Sequence, residues 1–143
     1  PLYGTNHKFN GYMDYFYVGN HTGNVGLNDI YLRFDYKHSK FSAGLTGHAF
    51  MANAPILDTD WLIDPTNTTG EIRAMSSYLG AEIDVFGQFK LAPGAVVKLG
   101  YSHMLGTESM EAIKGGDRNE IANWGWVMII LKPTLFDSAK KDK

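Results

Sequence analysis

The sequence predicts an all-β chain of about six long antiparallel strands. Three observations carry that expectation: apolar and polar residues alternate, the strands run long, and short and long connections alternate between them. The alternation is cleanest from Ile30 to Lys37, where Ile30, Leu32, Phe34 and Tyr36 fall on one side and Tyr31, Arg33, Asp35 and Lys37 on the other. After His38-Ser39-Lys40 it resumes, with Phe41, Ala43, Leu45 and Ala49 opposed to Ser42, Thr46 and His48. Each of these strands is about ten residues long, roughly twice the common globular strand and about the length that crosses a bilayer at a tilt.

The remaining elements follow in chain order. Phe9 to Tyr17 reads as a first strand, with Phe9, Met13, Tyr15 and Tyr17 on one face and Asn10, Tyr12 and Asp14 on the other; Gly11 weakens it locally. A Gly, Asn, His and Thr connection (Gly19 to Val25) leads into the central hairpin, and Asn53 to Met75 is a long irregular stretch. From Leu79 to Leu91, Leu79, Ala81, Ile83, Val85 and Phe89 oppose Glu82, Asp84, Gln88 and Lys90. Pro93-Gly94 closes a tight turn, after which Val97, Leu99 and Tyr101 oppose Lys98 and Ser102. Thr107 to Ala122 is polar, with room for a helical turn around Met110 to Ile113, and Trp124 to Phe136 is a final strand, apolar on both faces and not oriented by its pattern.

Taken in order, the connections are medium, short (His38 to Lys40), long (Asn53 to Met75), short (Ala92 to Ala95) and long (Thr107 to Ala122). An up-and-down transmembrane β-barrel has this rhythm, because short turns gather on the periplasmic side and long loops outside. The last strand then descends to the short-turn side. Six strands do not close a barrel, for which about eight is the practical minimum. The expectation is therefore the C-terminal strands of a larger barrel over residues 1–136, followed by a charged periplasmic tail, 137–143. The chain starts at Pro1 with no methionine or signal-like segment, which suits a processed form or a piece of something longer.

Composition narrows the function classes. A formal net charge of −2 without a basic stripe argues against a nucleic-acid partner. No stretch of about 18 apolar residues predicts a transmembrane helix, although hydropathy averages are blind to barrels, whose strands spend only alternate residues on lipid. With no cysteine there is neither a disulfide framework nor a thiolate metal site.

Lys8 to His21, Gly26 to Leu32, Phe41 to Phe50, Gly106 to Gly116 and Asn123 to Phe136 together resemble the C-terminal part of Bacteroidota outer-membrane β-barrel proteins, the porin-like group labelled alginate-export-like. The TESMEAIKGG loop followed by an aromatic terminal strand is the most specific part. The resemblance implies a bacterial outer-membrane porin, with this chain as its last third or so.

On that reading Asn10, Asp14, Arg33, Asp35, Lys37, Ser42, Thr46, His48, Glu82, Asp84, Lys90 and Lys98 line an aqueous lumen, and Ile30, Leu32, Phe34, Phe41, Leu45, Leu79, Ile83, Val85, Val97 and Leu99 face lipid. Acids and bases mix along the lining, which predicts weak charge selectivity. Glu82 and Asp84, about 6 to 7 Å apart on one strand face, have a spacing known from glycoside hydrolysis, but solvated lumen carboxylates are the preferred reading. Asp58, Asp60 and Asp64 are a weak Ca²⁺ candidate, lacking the glycine and terminal glutamate of an EF-hand. His48 and His103 read as lumen or rim residues, and the Trp124 and Trp126 indoles as members of an interfacial girdle.

The functional expectation is an outer-membrane channel for small solutes, or for export of an anionic polysaccharide. The expected partners are outer-membrane lipid, its solutes and a larger envelope complex that takes the chain as a subunit; no enzyme activity or cofactor is expected. Two other readings stay open: an eight-stranded structural or adhesive barrel with an extra hairpin from Ile56–Ile63 and Thr69–Ser76, and a soluble β-sandwich binding glycans through Trp61, Trp124 and Trp126.

Overall fold

The computed structural model describes residues 9–17, 19, 21 and 25–133. It is all-β in architecture: β1 (Asn28–His38), β2 (Phe41–Met51), β3 (Tyr78–Ala92), β4 (Ala95–Gly106) and β5 (Ala122–Leu131) form one antiparallel sheet in sequence order. Two short helices, α1 (Thr59–Ile63) and α2 (Glu108–Lys114), sit in the β2–β3 and β4–β5 connections. Both long connections therefore lie at one end of the sheet, and the two tight turns at the other. Ser39 (φ 29) and Gly94 (φ 78) take the left-handed backbone those turns require.

Register makes the sheet two-faced. Arg33, Thr46, Asp84, Ser102 and Trp124 stand in one cross-strand row, and the adjacent row is Leu32, Gly47, Ile83, His103 and Asn123. Strand alternation repeats this contrast at every level. Ile30, Leu32, Phe34, Phe41, Leu45, Ile83, Val85, Val97 and Leu99 share the apolar face as expected. On β5 the register supplies the orientation that the sequence pattern left open: Trp124 and Trp126 stand on the polar face, while Val127, Ile129 and Leu131 join the apolar one. The indoles are thus not part of a girdle on the apolar face. His103 is on the apolar face as well, not on the polar one.

Phe9 to Tyr17 is not a strand. Asn10 (φ 58), Gly11 (φ 83) and Asp14 (φ 60) all adopt left-handed backbone, incompatible with an extended ladder. The segment instead folds back over the polar face. Among the described residues neither β1 nor β5 pairs with a further strand, so five strands form an open sheet rather than a closed barrel. The proposed extra hairpin is absent too: Thr59–Ile63 is helical, and the strand-type pairing between the two sides of that loop is limited to an isolated bridge, Leu57 to Ala74. Leu135, Phe136 and the 137–143 tail lie outside the described residues.

A compact apolar core occupies the long-loop end. Phe16, Phe50, Ala52, Ile56, Leu79, Met104 and Met110 are buried together, and the Phe16 and Phe50 rings lie 4.6 Å apart. Leu79 belongs here and not on the outer face. A register shift beside Phe50 and Met51 and a φ of 143 at Gly80 form a bulge that reverses the side-chain alternation at the start of β3. A Cβ on Gly80 would collide with the Leu105 carbonyl, so only glycine fits. α2 is set by its ends: the Thr107 side chain accepts from the Met110 N–H, and Gly115 (φ 72) closes the last turn onto Glu111.

Two glycines on the polar face seat aromatic rings. Gly44 lies opposite Phe86 and Gly100 opposite Trp126, in one row, and a Cβ at either position would penetrate the ring. Gly47, on the other face, has open space around it. Gly44→Ala should therefore destabilise the full chain by about 1–3 kcal/mol through overpacking, while Gly47→Ala should be neutral within about 0.5 kcal/mol. Denaturant unfolding in detergent measures both, and equal effects would show that the ring seat contributes nothing.

Candidate functional site

The polar face carries a buried charged cluster at the level where the Phe9–Tyr17 segment crosses it. Glu82 and Asp84, two apart on β3, are 0% and 1% exposed. Glu82 Oε1 accepts the backbone N–H groups of Tyr12 (2.6 Å) and Met13 (2.9 Å). Gly11 rests against the same carboxyl group, where a Cβ would stand 2.5 Å from Glu82 Cδ. A single carboxylate thus anchors the inward fold, and the left-handed Asn10-Gly11 turn delivers the donors to it. Asp84 Oδ1 accepts the Ser102 hydroxyl at 2.5 Å across the β3–β4 pair.

His48 stands beside them on β2. Its Nδ1 meets Asp29 Oδ1 and Oδ2 at 2.9 and 3.0 Å, and its Nε2 lies 3.6 Å from Asp84 Oδ2. Tyr31 and Phe50 stack on the imidazole, each with its ring centroid 5.5 Å away. Arg33 makes a two-pronged ion pair with Asp35 (2.7 and 2.9 Å) and lies 5.1 Å over the Phe86 ring. Between the folded-back segment and β1–β3 remains a cleft of about 240 Å³, bordered by Asn10, Tyr31, Thr46, His48 and Asp84.

Of the twelve residues expected on the polar face, Arg33, Asp35, Lys37, Ser42, Thr46, His48, Glu82, Asp84, Lys90 and Lys98 are there by register. Asn10 and Asp14 are not strand residues; Asn10 borders the cleft from the folded-back segment, its side-chain amide donating to the Phe16 carbonyl at 3.4 Å. Sequence reasoning missed Asp29, Ser102 and the Tyr12 and Met13 amides. The Asn10-Gly11 pair was the available signal, since that dipeptide marks a turn and not a strand.

The expected mixing of acids and bases is corrected by their levels. Lys37, Lys40, Lys90, Lys98 and Lys132 all stand at the short-turn end, with no carboxylate among the described residues there. Asp29, Glu82 and Asp84 stand at or above the middle, nearer the long loops, while Asp35, paired with Arg33, lies one level above Lys37. The polar face is basic at one end and acidic toward the other.

The long loop uses its aspartates structurally. Asp58 accepts the Trp61 N–H at 3.0 Å as the cap of α1 and receives Arg73 Nε at 2.9 Å. The Trp61 amide, with Arg73 beside it, holds the Asp58 carboxyl below its ordinary value of 3.8. Asp64 accepts from the Thr66 hydroxyl and N–H, and Asp60 is exposed. Asp58 and Asp64 are engaged by protein donors, and no group of three acidic, His or Cys side chains is arranged for a metal ion among the described residues. Arg73 lies 4.9 Å over the Trp61 ring, which occupies one indole face.

Geometry thus defines a class: an amphipathic antiparallel sheet with long loops at one end and a buried polar cluster under an inward-folded segment. Comparison with family models, curated proteins and solved structures finds no match.

Replacing Glu82 with Ala leaves two buried N–H donors without an acceptor, at about 1–3 kcal/mol each. Glu82→Ala should release Phe9–Tyr17 to rapid hydrogen exchange and proteolysis, whereas Glu82→Gln, which keeps an acceptor oxygen, should retain most protection. Wild-type protection in the Ala variant would refute the anchor.

Proposed function

We propose that this chain forms part of an outer-membrane β-barrel channel, with its polar face toward a water-filled lumen and its apolar face on lipid. The observation that carries this reading is the sorting of side chains across the sheet. Leu32, Phe34, Ile129 and Val127 are 64, 62, 65 and 74% exposed on one side, while the charged groups of the strands stand on the other. Contiguous apolar patches on soluble monomers rarely exceed roughly 300–600 Å², and here the apolar side spans all five strands. A β-sandwich would bury such a face under a second sheet. No described residue supplies one. No described helix is long and apolar enough to cross a membrane, a finding that does not bear on crossing by strands.

Strand parity extends the reading. With an odd number of strands, β1 and β5 run the same way, so an antiparallel barrel with an even total needs an odd number of further strands between them. Reaching the practical minimum of about eight takes at least three. The long loops face the exterior and the Ser39-Lys40 and Pro93-Gly94 turns the periplasm. Small polar solutes are the expected traffic, and the lysine level at the short-turn end is compatible with anionic ones, including the polysaccharide export that the resemblance implies. The buried carboxylates already serve backbone and hydroxyl donors, so the reading includes no catalytic step.

Purified full-length protein in a planar bilayer should give stepwise conductance. In the same protein Leu32→Arg, set on lipid near mid-membrane, should cost about 2–4 kcal/mol of folding stability, and Thr46→Arg should be tolerated. A non-conducting protein that purifies without detergent, with both substitutions equal in effect, would overturn the channel.

A further inference from the structure

We propose that Glu82 and Asp84 hold a single proton between them, and that its loss frees the Phe9–Tyr17 segment from the sheet, making the segment a pH-operated constriction of the polar face. The inference rests on that face being water-lined and adds a control on its narrowed level. The two side chains are 0% and 1% exposed and share a hydrogen bond. One oxygen of each already has its donors: Glu82 Oε1 takes the Tyr12 and Met13 N–H groups, and Asp84 Oδ1 takes the Ser102 hydroxyl. The other two, Glu82 Oε2 and Asp84 Oδ2, are buried and receive no donor from the rest of the described residues. Ionised carboxylates only accept, so a hydrogen bond between two of them needs a proton on one. Like charges in contact and out of water are strongly disfavoured, which is how paired acids come to keep one proton between them.

The surrounding charges do not replace that proton. On β1, Asp29 is held by His48 Nδ1, and Arg33 is committed to Asp35 on two prongs and to Tyr12. On β2, His48 Nε2 is 3.6 Å from Asp84 Oδ2, beyond hydrogen-bond distance. β4 contributes only the neutral Ser102 hydroxyl, and the sheet lysines lie at the short-turn end. The folded-back segment carries Tyr12, already paired with Arg33, and Asp14, a further acid. The proton is coupled to the fold because Gly11 backs onto the Glu82 carboxyl group and the Tyr12 and Met13 amides cap it. Water reaches a doubly ionised pair only when the segment lifts. The closed state therefore binds one proton more than the open one, and by linkage closure weakens as pH rises.

Hydrogen exchange of full-length protein in detergent, normalised to intrinsic rates from about pH 6 to about pH 10, tests this over a range in which free carboxyls are already ionised. Protection of the Tyr12 and Met13 amides should fall by about tenfold or more across it. Asp84→Asn, whose amide donates to Glu82 without titrating, should stay protected throughout, and Glu82→Gln should do the same by donating to Asp84. Infrared spectra of the wild type should show the C=O stretch of a protonated carboxyl at neutral pH that disappears at the alkaline end, a readout that stays decisive if a variant misfolds. Absence of that stretch, protection that does not change with pH, or an equal fall in Asp84→Asn, which would assign the response to His48 or Tyr12, would overturn the switch. Conductance of the same preparation separates the two readings: a conducting protein with no shared proton removes only the switch, and a protein that releases the segment with pH but does not conduct removes only the channel.

Discussion

The structure depends on one constraint: each strand presents an apolar face and a polar face while its backbone groups pair with the neighbouring strands of the sheet. Period-two alternation meets the first demand and antiparallel pairing the second. Because the side-chain period is two, a one-residue slip would exchange the faces, so the register is fixed by the same pattern that fixes the surface. Arg33, Thr46, Asp84 and Ser102 fall in one row for this reason, with Leu32 and Ile83 in the next. Among the described residues the sheet ends in two open edges, β1 and β5.

The polar face is organised by close approach rather than by an ordinary apolar core. Gly44 and Gly100 let Phe86 and Trp126 lie flat across neighbouring strands, and Gly11 lets the folded-back backbone reach Glu82. Above that level Phe16, Phe50, Leu79 and Met110 form a small apolar plug joining the segment, the sheet and α2. The result is a narrowed, acidic level near the long loops and a basic level near the short turns. In the channel reading, solutes pass both.

Much of this was legible in the sequence. Ile30 to Lys37 and Phe41 to Ala49 gave the central hairpin, Pro93-Gly94 marked the β3–β4 turn, and loop lengths gave the up-and-down order. The failures have physical causes. In Phe9 to Tyr17 spaced aromatics imitated a strand, but Asn10, Gly11 and Asp14 are residues that accept left-handed backbone, and Glu82 rewards that conformation with two hydrogen bonds. Leu79 obeyed the alternation on paper; the Gly80 bulge reversed it, and an isolated glycine inside a strand pattern was the warning. The site was half visible: His48, Glu82 and Asp84 stood out as polar residues, but their link to Asp29, Ser102 and the Tyr12 amide arises from pairing across distant strands. Charge segregation was likewise hidden, because antiparallel turns bring Lys37 level with Lys98.

The most direct test of the two-faced sheet is spin-label accessibility along β3, one label at a time from Leu79 to Phe89 in the full-length protein in lipid bilayers. The account predicts a period of two from Ala81 onward, with Ile83, Val85 and Phe89 open to oxygen from the lipid and Gln88 open to a water-soluble relaxer. Leu79 should break the pattern by being shielded from both. Uniform exposure of Ile83 and Val85 to the aqueous reagent, with no alternation, would contradict it.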